Sequence, residues 1–438
     1  MSSITSAMPK YESYKDSGLA WLGDIPTHWF TKPMCAVASI VSISNVQDKE
    51  LLSVYLYEGV IRFSDVDEKR TNATSQDLSK YQLVSPGDFV LNNQQAWRGS
   101  VGVSSYEGIV SPAYLVLKMS GDFDAGFANY LFRDGIMVSQ YLVCSKGVGT
   151  IQRNLYWPQL KRSVVFYPPL KEQTSIAAFL DRKTAQINQA VKIKERQIEL
   201  LKERKQIIIQ NAVTRGLNPD APMRDSGVEW IGQIPESWAT TFARYCFRVV
   251  KRYDRDGTEI KFSVTQKRGL VATDKMEEAS TQAGSFDGFQ LCCEDDLVLN
   301  KYKAHLGVFW RAPERGIITN NYTVFQPRRD ISSKYFEILF HTGIYQSIFR
   351  MLVYGVTEGM SPLYTNDFYS MKVIVPPIDE QLSIVVYIET ESVKIDEAIE
   401  LQKQQIVKLK EYKSTLINSA VTGKIRVVDE GLCSEVAM

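Results

Sequence analysis

The sequence has little of what catalysis and metal binding require. It holds 3 histidines in 438 residues, none of them in a His-Glu-x-x-His pattern, and it has no glycine-rich phosphate-binding loop. His28 lies between Pro26 and Trp29 and is expected to be a packed structural residue. No spacing typical of metal ligands occurs. An active site carried by this chain alone is therefore not expected.

Cysteine pairs and long apolar runs are also lacking. The 6 cysteines form no Cys-x-x-Cys pair, and no apolar run reaches the roughly 18 residues of a membrane-spanning helix. Residues 1–10 are polar and lack the apolar core of a signal peptide. The expected setting is reducing and cytoplasmic.

Charge of one sign does not dominate the chain. Lys and Arg number 51 against 50 Asp and Glu, which gives a net charge of +1. Such a balance creates no overall basic field for nucleic acid. A DNA-binding protein of this composition must concentrate its cations locally or bind DNA within a larger assembly.

What the chain does have is an internal repeat at a shift of about 208 positions. Residues 21–29 (WLGDIPTHW) return as 230–238 (WIGQIPESW), and residues 168–173 (PPLKEQ) return as 376–381 (PPIDEQ). An Ala-Val-Thr triplet at 212–214 returns at 420–422. The sequence between these motifs differs widely. The chain is therefore expected to contain two copies of one module, each with a different segment between the shared motifs; we call these segments the first and the second insert.

The repeat predicts five segments. Two mixed α/β domains are expected at residues 1–167 and 217–375, because short alternating runs are separated there by glycine and proline. Two long helices are expected at 168–216 and 376–425, and a tail at 426–438. The predicted fold class is α+β with a pseudo-two-fold internal repeat.

Each predicted long helix carries an apolar heptad pattern. Its positions are Ile187, Val191, Ile198, Leu201, Ile208 and Ala212 in the first, and Ile395, Ile399, Ile406, Leu409, Leu416 and Ala420 in the second. Polar residues interrupt both patterns, with Lys194 and Lys205 matched by Gln402 and Lys413. This pattern favours an antiparallel coiled coil, although each helix packing separately on its own domain remains an alternative.

An antiparallel pair of similar helices would place the two inserts at opposite ends, about a pseudo-dyad. Proteins with two-fold symmetry read DNA half-sites separated by a fixed distance. Because the inserts differ, the site should be bipartite and asymmetric. A helix of 40 residues would span about 60 Å and act as the ruler for an unread spacer.

Several loops have the residue types that read base edges or bind phosphate. The candidates in the first insert are Asn92, Asn93, Gln94, Gln95, Arg98, Lys146, Gln152 and Arg153. Those in the second are Thr265, Gln266, Lys267, Arg268, Asn300, Lys301, Tyr302, Lys303, Thr357 and Ser361. Lys69, Arg70, Lys251 and Arg252 are candidates for phosphate contacts. The alternative for each loop is an ordinary polar surface.

The duplicated motifs, in this order and along essentially the whole chain, resemble the specificity (S) subunit of type I restriction–modification systems. That resemblance implies two target-recognition domains alternating with two long helices, and a chain that is not itself an enzyme. It also implies two methyltransferase (M) subunits and two restriction (R) motor–nuclease subunits as partners, with double-stranded DNA as the ligand. S-adenosylmethionine, ATP and magnesium would be bound by those partners, with no cofactor in this chain.

Three other functions stay open from the sequence. The chain could be a standalone methyltransferase or nuclease, or a coiled-coil scaffold that binds only proteins. It could also serve as the specificity factor of another antiphage methylation system that lacks a cleavage subunit. The target bases cannot be transferred from the family, because its recognition residues vary.

Overall fold

The computed structural model describes residues 8–46, 48–56, 58–65, 77–148, 152–253, 257–266, 268–275, 288–353 and 362–427. The chain divides into two compact units. Unit 1 comprises Met1–Lys194 with Gln404–Met438, and unit 2 comprises Glu195–Lys403. Both units contain sheet, short helices and parts of the two long helices. The expected α+β class is thereby confirmed.

Unit 1 begins with fourteen described strands and four short helices. The strands are β1 (Tyr14–Asp16), β2 (Asp24–Pro26), β3 (Phe30–Pro33), β4 (Ala38–Ile40), β5 (Leu52–Tyr55), β6 (Gly59–Arg62), β7 (Gln82–Val84), β8 (Phe89–Asn92), β9 (Val101–Val103), β10 (Gly108–Val110), β11 (Tyr114–Met119), β12 (Ser145–Val148), β13 (Gln152–Leu155) and β14 (Val164–Tyr167). The helices are α1 (Met34–Val37), α2 (Ala125–Arg133), α3 (Gly135–Cys144) and α4 (Trp157–Leu160), with 3-10 turns at Phe63–Asp65 and Ala96–Arg98. The long helix α5 (Leu170–Arg215) follows.

Unit 2 repeats this order. Its strands are β15 (Met223–Asp225), β16 (Gln233–Pro235), β17 (Ala239–Phe242), β18 (Phe247–Val250), β19 (Ile260–Thr265), β20 (Gly269–Ala272), β21 (Gln290–Cys292), β22 (Leu297–Asn300), β23 (Phe309–Arg311), β24 (Gly316–Ile318), β25 (Tyr322–Pro327) and β26 (Lys372–Val375). Its helices are α6 (Ala243–Cys246), α7 (Ser333–Phe340), α8 (Gly343–Leu352), α9 (Thr365–Ser370) and the long α10 (Ile378–Val421), with 3-10 turns at Thr273–Lys275 and Lys301–Leu306.

The central sheet has the same antiparallel topology in both units. Its strand order is β4-β11-β8-β9 in unit 1 and β18-β25-β22-β23 in unit 2. Short helices cover one face through aromatic packing: the ring of Phe89 stacks on Phe132 at 4.5 Å, and that of Phe309 stacks on Phe349 at 4.7 Å. The strands therefore hold the following loops on a rigid, buried support.

A second sheet shows where the inserts diverge. In unit 2 it is continuous, with the order β20-β19-β24-β21 and a parallel pairing of β19 with β24. In unit 1 the equivalent strands form two pairs, β5-β6 and β7-β10, which are joined by an isolated parallel bridge between Leu51 and Ile109. Both versions end in a hairpin, β5–β6 or β19–β20, which we call the tip hairpin of each unit.

The Gln of each Pro-Pro-x-x-Glu-Gln motif joins the long helix to its domain. Gln173 is fully buried; its Oε1 accepts from the Asp124 backbone N–H at 2.8 Å, and its Nε2 donates to the carbonyls of Asp122 and Pro168, each at 2.8 Å. Three protein groups thus satisfy one amide, as burial of a polar side chain requires.

Gln381 repeats the arrangement in unit 2. Its Oε1 accepts from the Ser332 backbone N–H at 2.9 Å, and its Nε2 donates to the carbonyls of Asp330 at 3.2 Å and Pro376 at 2.8 Å. Gln381 is also fully buried. The repeated motif is therefore a repeated hydrogen-bonding device, which fixes the angle at which each helix leaves its domain.

The glutamate of the same motif does not behave alike in the two units. Glu172 accepts from the Tyr11 hydroxyl at 2.6 Å and from Trp29 Nε1 at 3.0 Å, and its Oε2 lies 2.7 Å from His28 Nε2. His28 is about half exposed, so it is a hydrogen-bonding partner of Glu172 at the surface and not the packed residue expected from the sequence. In unit 2, Trp238 Nε1 is buried with no described partner.

The long helices run antiparallel within unit 1. Lys413 Nζ of α10 donates to Asn188 Oδ1 of α5 at 2.9 Å, and Ile187 and Val191 share a core with Leu409 and Leu416. Closer to its start, α5 instead packs Ile176 and Leu180 on the α/β domain. The alternative of helices packed on their own domains thus applies only to the first turns.

Within unit 2 the same helices pair through their other halves. Lys205 Nζ of α5 contacts both oxygens of Asp396 of α10, at 2.8 and 2.7 Å. Toward the start of α10, Ile384 and Ile388 share a core with Ala212 of α5. The order is again antiparallel, as the heptad pattern predicts.

Candidate nucleic-acid interface

The loop after β8 in unit 1 is shaped by its own side chains. Asn92 Oδ1 accepts from the backbone N–H of Gln94 at 3.0 Å, and Trp97 Nε1 donates to the Gln94 carbonyl at 2.9 Å. The guanidinium of Arg98 lies 4.6 Å from the centre of the Trp97 ring. Because the indole is fixed, the exposed Arg98 is held at the surface in a cation–π pair.

The hairpin β12–β13 docks on this loop. The backbone N–H of Leu155 donates to the carbonyl of Asn93 at 2.8 Å. In the hairpin, Lys146 lies opposite Asn154 and Gly147 lies opposite Arg153. Candidate segment 92–98 and the paired strands β12 and β13, which carry the other candidates of the first insert, are therefore brought together in unit 1.

The tip hairpin of unit 1 adds a third element. Ser100 Oγ donates to the carbonyl of Val54 at 2.8 Å. A Cβ placed on Gly99, which has a φ of +101°, would lie 3.7 Å from the Leu56 side chain. The left-handed turn at Gly99 thus lets the loop end close beside the hairpin.

Unit 2 assembles chemically different residues on the same plan. Asn300 Oδ1 accepts from the Tyr302 backbone N–H at 3.2 Å, and Lys301 Nζ lies 5.3 Å from the centre of the exposed Tyr302 ring. The backbone N–H of Leu363 donates to the Lys301 carbonyl at 2.9 Å. Lys303 is exposed. Where unit 1 offers amides and an arginine, unit 2 offers two lysines and a tyrosine.

The tip hairpin of unit 2 carries its own polar turn. Thr265 Oγ1 donates to the Gly269 carbonyl at 3.0 Å and accepts from the Arg268 backbone N–H at 2.9 Å. Gln266 and Arg268 are exposed. The hydroxyl of Thr265 therefore shapes the turn, and the exposed side chains of Gln266 and Arg268 are available for contacts.

Some sequence candidates have other roles or lie outside the described residues. Arg252 forms an ion pair with Asp296, which is only 2% exposed, so a phosphate-binding role for Arg252 gives way to a structural one. The Oδ1 atoms of Asn92 and Asn300 are engaged in their turns. Lys69, Arg70, Lys267, Thr357 and Ser361 lie outside the described residues, and the side chain of Gln152 is not described.

The loops offer hydrogen-bond donors, acceptors and cations, which suit recognition. Within the ranges that the structure describes, no group of His, Cys, Asp and Glu side chains could hold a metal ion. Among the same residues, no helix combines the length and apolar character needed to cross a bilayer. The role of Trp97 in holding Arg98 was not foreseen; an aromatic residue next to an arginine was its signal.

Two curated relatives are similar along most of the chain. A putative type I restriction enzyme MjaX specificity subunit from Methanocaldococcus jannaschii is 20% identical over 448 residues, which cover 95% of this chain and 98% of the relative. The type I restriction enzyme EcoKI specificity subunit from Escherichia coli K12 is also 20% identical, over 84% of this chain and 82% of the relative. No family model matches the chain.

Solved structures share its fold. A chain from a study of complex assembly and conformational transition in a type I restriction–modification system aligns with a TM-score of 0.63 and 13% identity, covering 91% of this chain and 98% of that one. The HsdS subunit from Thermoanaerobacter tengcongensis aligns with a TM-score of 0.55 and 13% identity, over 92% and 98%. The resemblance seen in the duplicated motifs is confirmed: along most of its length the chain is similar to specificity subunits of type I restriction–modification systems.

Proposed function

We propose that this subunit reads a bipartite, asymmetric DNA site, one half through each unit, and that residues 1–167 and 217–375 are its two target-recognition domains. The observation that carries the proposal is the matched assembly of loops. The Leu155–Asn93 and Leu363–Lys301 hydrogen bonds join equivalent segments in the two units, while the exposed side chains differ. Reading two unlike half-sites requires loops that are held in the same way but present different side chains.

The reading residues follow from the chemistry at these loops. Arg98 is suited to guanine, and Gln94 and Gln95 are suited to adenine, in the first half-site. In unit 2 the cations Lys301, Lys303 and Arg268 would contact phosphate or guanine. The remaining candidates are retained: Asn93, Lys146, Gln152 and Arg153 for the first half, and Thr265, Gln266, Lys267, Tyr302, Thr357 and Ser361 for the second.

The chain is proposed to be non-catalytic and to direct partner subunits to the site. Two adenine methyltransferase subunits would bind S-adenosylmethionine, and two motor–nuclease subunits would join them for ATP-driven restriction. The partners would also supply part of the basic surface around DNA, which the net charge of +1 does not.

Exposed apolar side chains on the long helices support docking of the methyltransferases. Ile193, Leu200 and Ile207 of α5 follow one another at seven-residue steps and are 48, 47 and 59% exposed. On α10, Val386 and Val393 are 63 and 56% exposed. These positions lie off the heptad seam, so a second apolar stripe is left for a protein partner.

The test is DNA binding by the complex of this chain with its methyltransferase. Binding should be selective for a duplex with two short defined elements and an unread spacer, and it should weaken as salt rises. Selectivity for one continuous element would contradict the proposal. Binding that is indifferent to sequence would instead favour a scaffold.

A further inference from the structure

The tip hairpin of unit 1 lies directly on its sheet because one sheet residue has no side chain. A Cβ added to Gly102 of β9 would lie 2.9 Å from the Cα of Gly59 and 3.0 Å from the backbone nitrogen of Val60. Such distances leave no room for even a methyl group. Gly59 itself has a φ of +85°, and a Cβ there would lie 3.4 Å from Nε of Arg133.

Unit 2 fills the equivalent space with an indole. Trp310 of β23 occupies the position of Gly102, and a Cβ added to Gly269 would lie 3.4 Å from its ring. Gly269 has a φ of +78° and occupies the position of Gly59. The ring of His341, in the position of Arg133, lies 4.3 Å from the Trp310 ring.

The residues beneath the two tip hairpins, Gly102 with Arg133 in unit 1 and Trp310 with His341 in unit 2, also differ in charge. Burial lowers the pKa of Arg133, but a guanidinium stays protonated at neutral pH, so a cation lies beneath the first tip hairpin. Burial likewise lowers the pKa of His341, so its imidazole is neutral at pH 7. A small residue with a large cation in unit 1 is thus replaced by a large aromatic residue with a smaller neutral ring in unit 2.

We propose that two pairs of residues, Gly102 with Arg133 and Trp310 with His341, set the position of each tip hairpin against DNA and thereby help to determine which bases each unit accepts. We call each pair a floor pair. Its members are positioning residues that lie beneath the hairpin and act through it. This inference rests on the proposed function, because it assumes that the tip hairpins take part in reading.

A small movement of the tip hairpin, caused by a change in the floor pair, would be enough to alter base recognition. Hydrogen bonds to base edges hold within a few tenths of an ångström of about 2.9 Å. A side chain that forces the hairpin outward by about 1 Å would break such bonds without unfolding the domain. The sheet beneath is buried and has little freedom to yield, so the hairpin is the part that moves.

The experiment compares Gly102→Ala with Gly135→Ala in the complex with the methyltransferase. Gly135 is a matched control, because a Cβ there meets no atom within 4 Å and its φ is not left-handed. Trp310→Phe tests the second floor pair with little risk to folding. Each complex is titrated with the cognate duplex and with duplexes that carry one altered base pair in either half-site, and its thermal unfolding is recorded.

Gly102→Ala should lower discrimination at the first half-site at least tenfold and leave the second within twofold. Trp310→Phe should have the reverse pattern, and Gly135→Ala should match the parent. Unchanged discrimination in both floor variants, or an equal loss at both half-sites, would overturn the proposed positioning role of the floor pairs. If Gly102→Ala fails to fold, Trp310→Phe alone decides. A parent complex without discrimination would overturn the proposed function itself.

Discussion

The backbone N–H of Leu155 donates a hydrogen bond to the carbonyl oxygen of Asn93 at 2.8 Å. One repeat later, Leu363 makes the same bond with Lys301 at 2.9 Å. A main-chain bond is indifferent to side-chain identity, so the residues that carry it can change freely. Asn93 and Lys301 differ in size, charge and hydrogen-bonding pattern, yet both are held in the same place. The main-chain arrangement of the loop is thus the same in both units, while the side chains that it presents differ.

Changes at Arg98 and Lys303 should separate the two half-sites. Arg98→Gln removes a guanidinium held on Trp97, and we expect a loss of about 1–3 kcal/mol of binding at the first half-site only. Lys303→Gln should weaken the second half-site only. Titration of duplexes with one half-site altered measures both effects. Equal losses at both halves in either variant would contradict modular reading.

Gln173 should contribute far more to stability than its exposed neighbours on α5. Gln173→Ala removes the side-chain partner of one backbone N–H and two backbone carbonyls, which are buried or partly buried, and we expect a cost of about 3 kcal/mol. Gln173→Glu should also be destabilising, because a carboxylate cannot donate to the carbonyls. Denaturant unfolding measures both. The exposed Gln197→Ala serves as control and should change the free energy of unfolding by less than about 0.5 kcal/mol.

Lys413 and Lys205 occupy equivalent repeat positions but have unequal partners. Lys205 meets the carboxylate of Asp396, whereas Lys413 meets the neutral amide of Asn188. Burial lowers the pKa of Lys413, and the positive charge of Arg133 lowers it further. Asn188→Asp should therefore raise that pKa and stabilise the chain by about 0.5–1 kcal/mol at low salt.

The reciprocal change, Asp396→Asn, should be mildly destabilising. Thermal unfolding in low and high salt measures both variants, and the gain from Asn188→Asp should shrink as salt rises. A destabilised Asn188→Asp protein would show that the Lys413–Asn188 contact is not the expected register pair.

His341 should make stability depend on pH. Burial is the main cause that lowers its pKa below 6.5; Glu337 opposes this shift and Lys334 adds to it. In the unfolded chain the imidazole takes up a proton near 6.5, while in the folded chain it stays neutral to lower pH. Because the unfolded state then binds more protons, stability falls as the pH drops below about 6.5.

Unfolding of the parent and of His341→Gln at pH 7.5 and 5.5 measures this contribution. The variant, whose side chain does not titrate, should lose less stability on acidification than the parent does. An equal loss in both proteins would assign the pH dependence to other groups.

The exposed stripe on the long helices should affect assembly and not folding. Ile207→Asp and Val393→Asp place a carboxylate on the proposed methyltransferase surface, and affinity for that subunit should fall at least tenfold. Because both residues are more than half exposed, the unfolding temperature should stay near that of the parent. Gln206→Asp, on the exposed side away from the stripe, is the control; the same loss of affinity there would argue against the stripe.

The sequence predicted the long helices well because heptad periodicity is a local pattern. The pattern and the repeat favoured their antiparallel pairing, and the structure adds that Asn188 lies opposite Lys413. Contacts between segments that are distant in the sequence could not be predicted in this way. Nothing in the pattern revealed that Arg252 would pair with Asp296, or that His28 would reach Glu172.

The candidate loops were found by composition, but their convergence was not. The Leu155–Asn93 bond joins segments that only the folded sheet brings together. The contrast between Gly102 and Trp310 could not be predicted either, because a glycine in a sequence does not indicate which atoms pack against it. Sequence identified the residues with suitable chemistry, and the fold shows which of them share a surface.

The methylome of cells that express this chain with its methyltransferase tests the proposed bipartite reading most directly. We expect methylated adenines in one asymmetric motif of two short elements with a fixed unread spacer. Exchanging the first insert for that of a relative should change one element and leave the other intact. A continuous methylated motif, or a change in both elements after that exchange, would contradict bipartite reading by two separate domains.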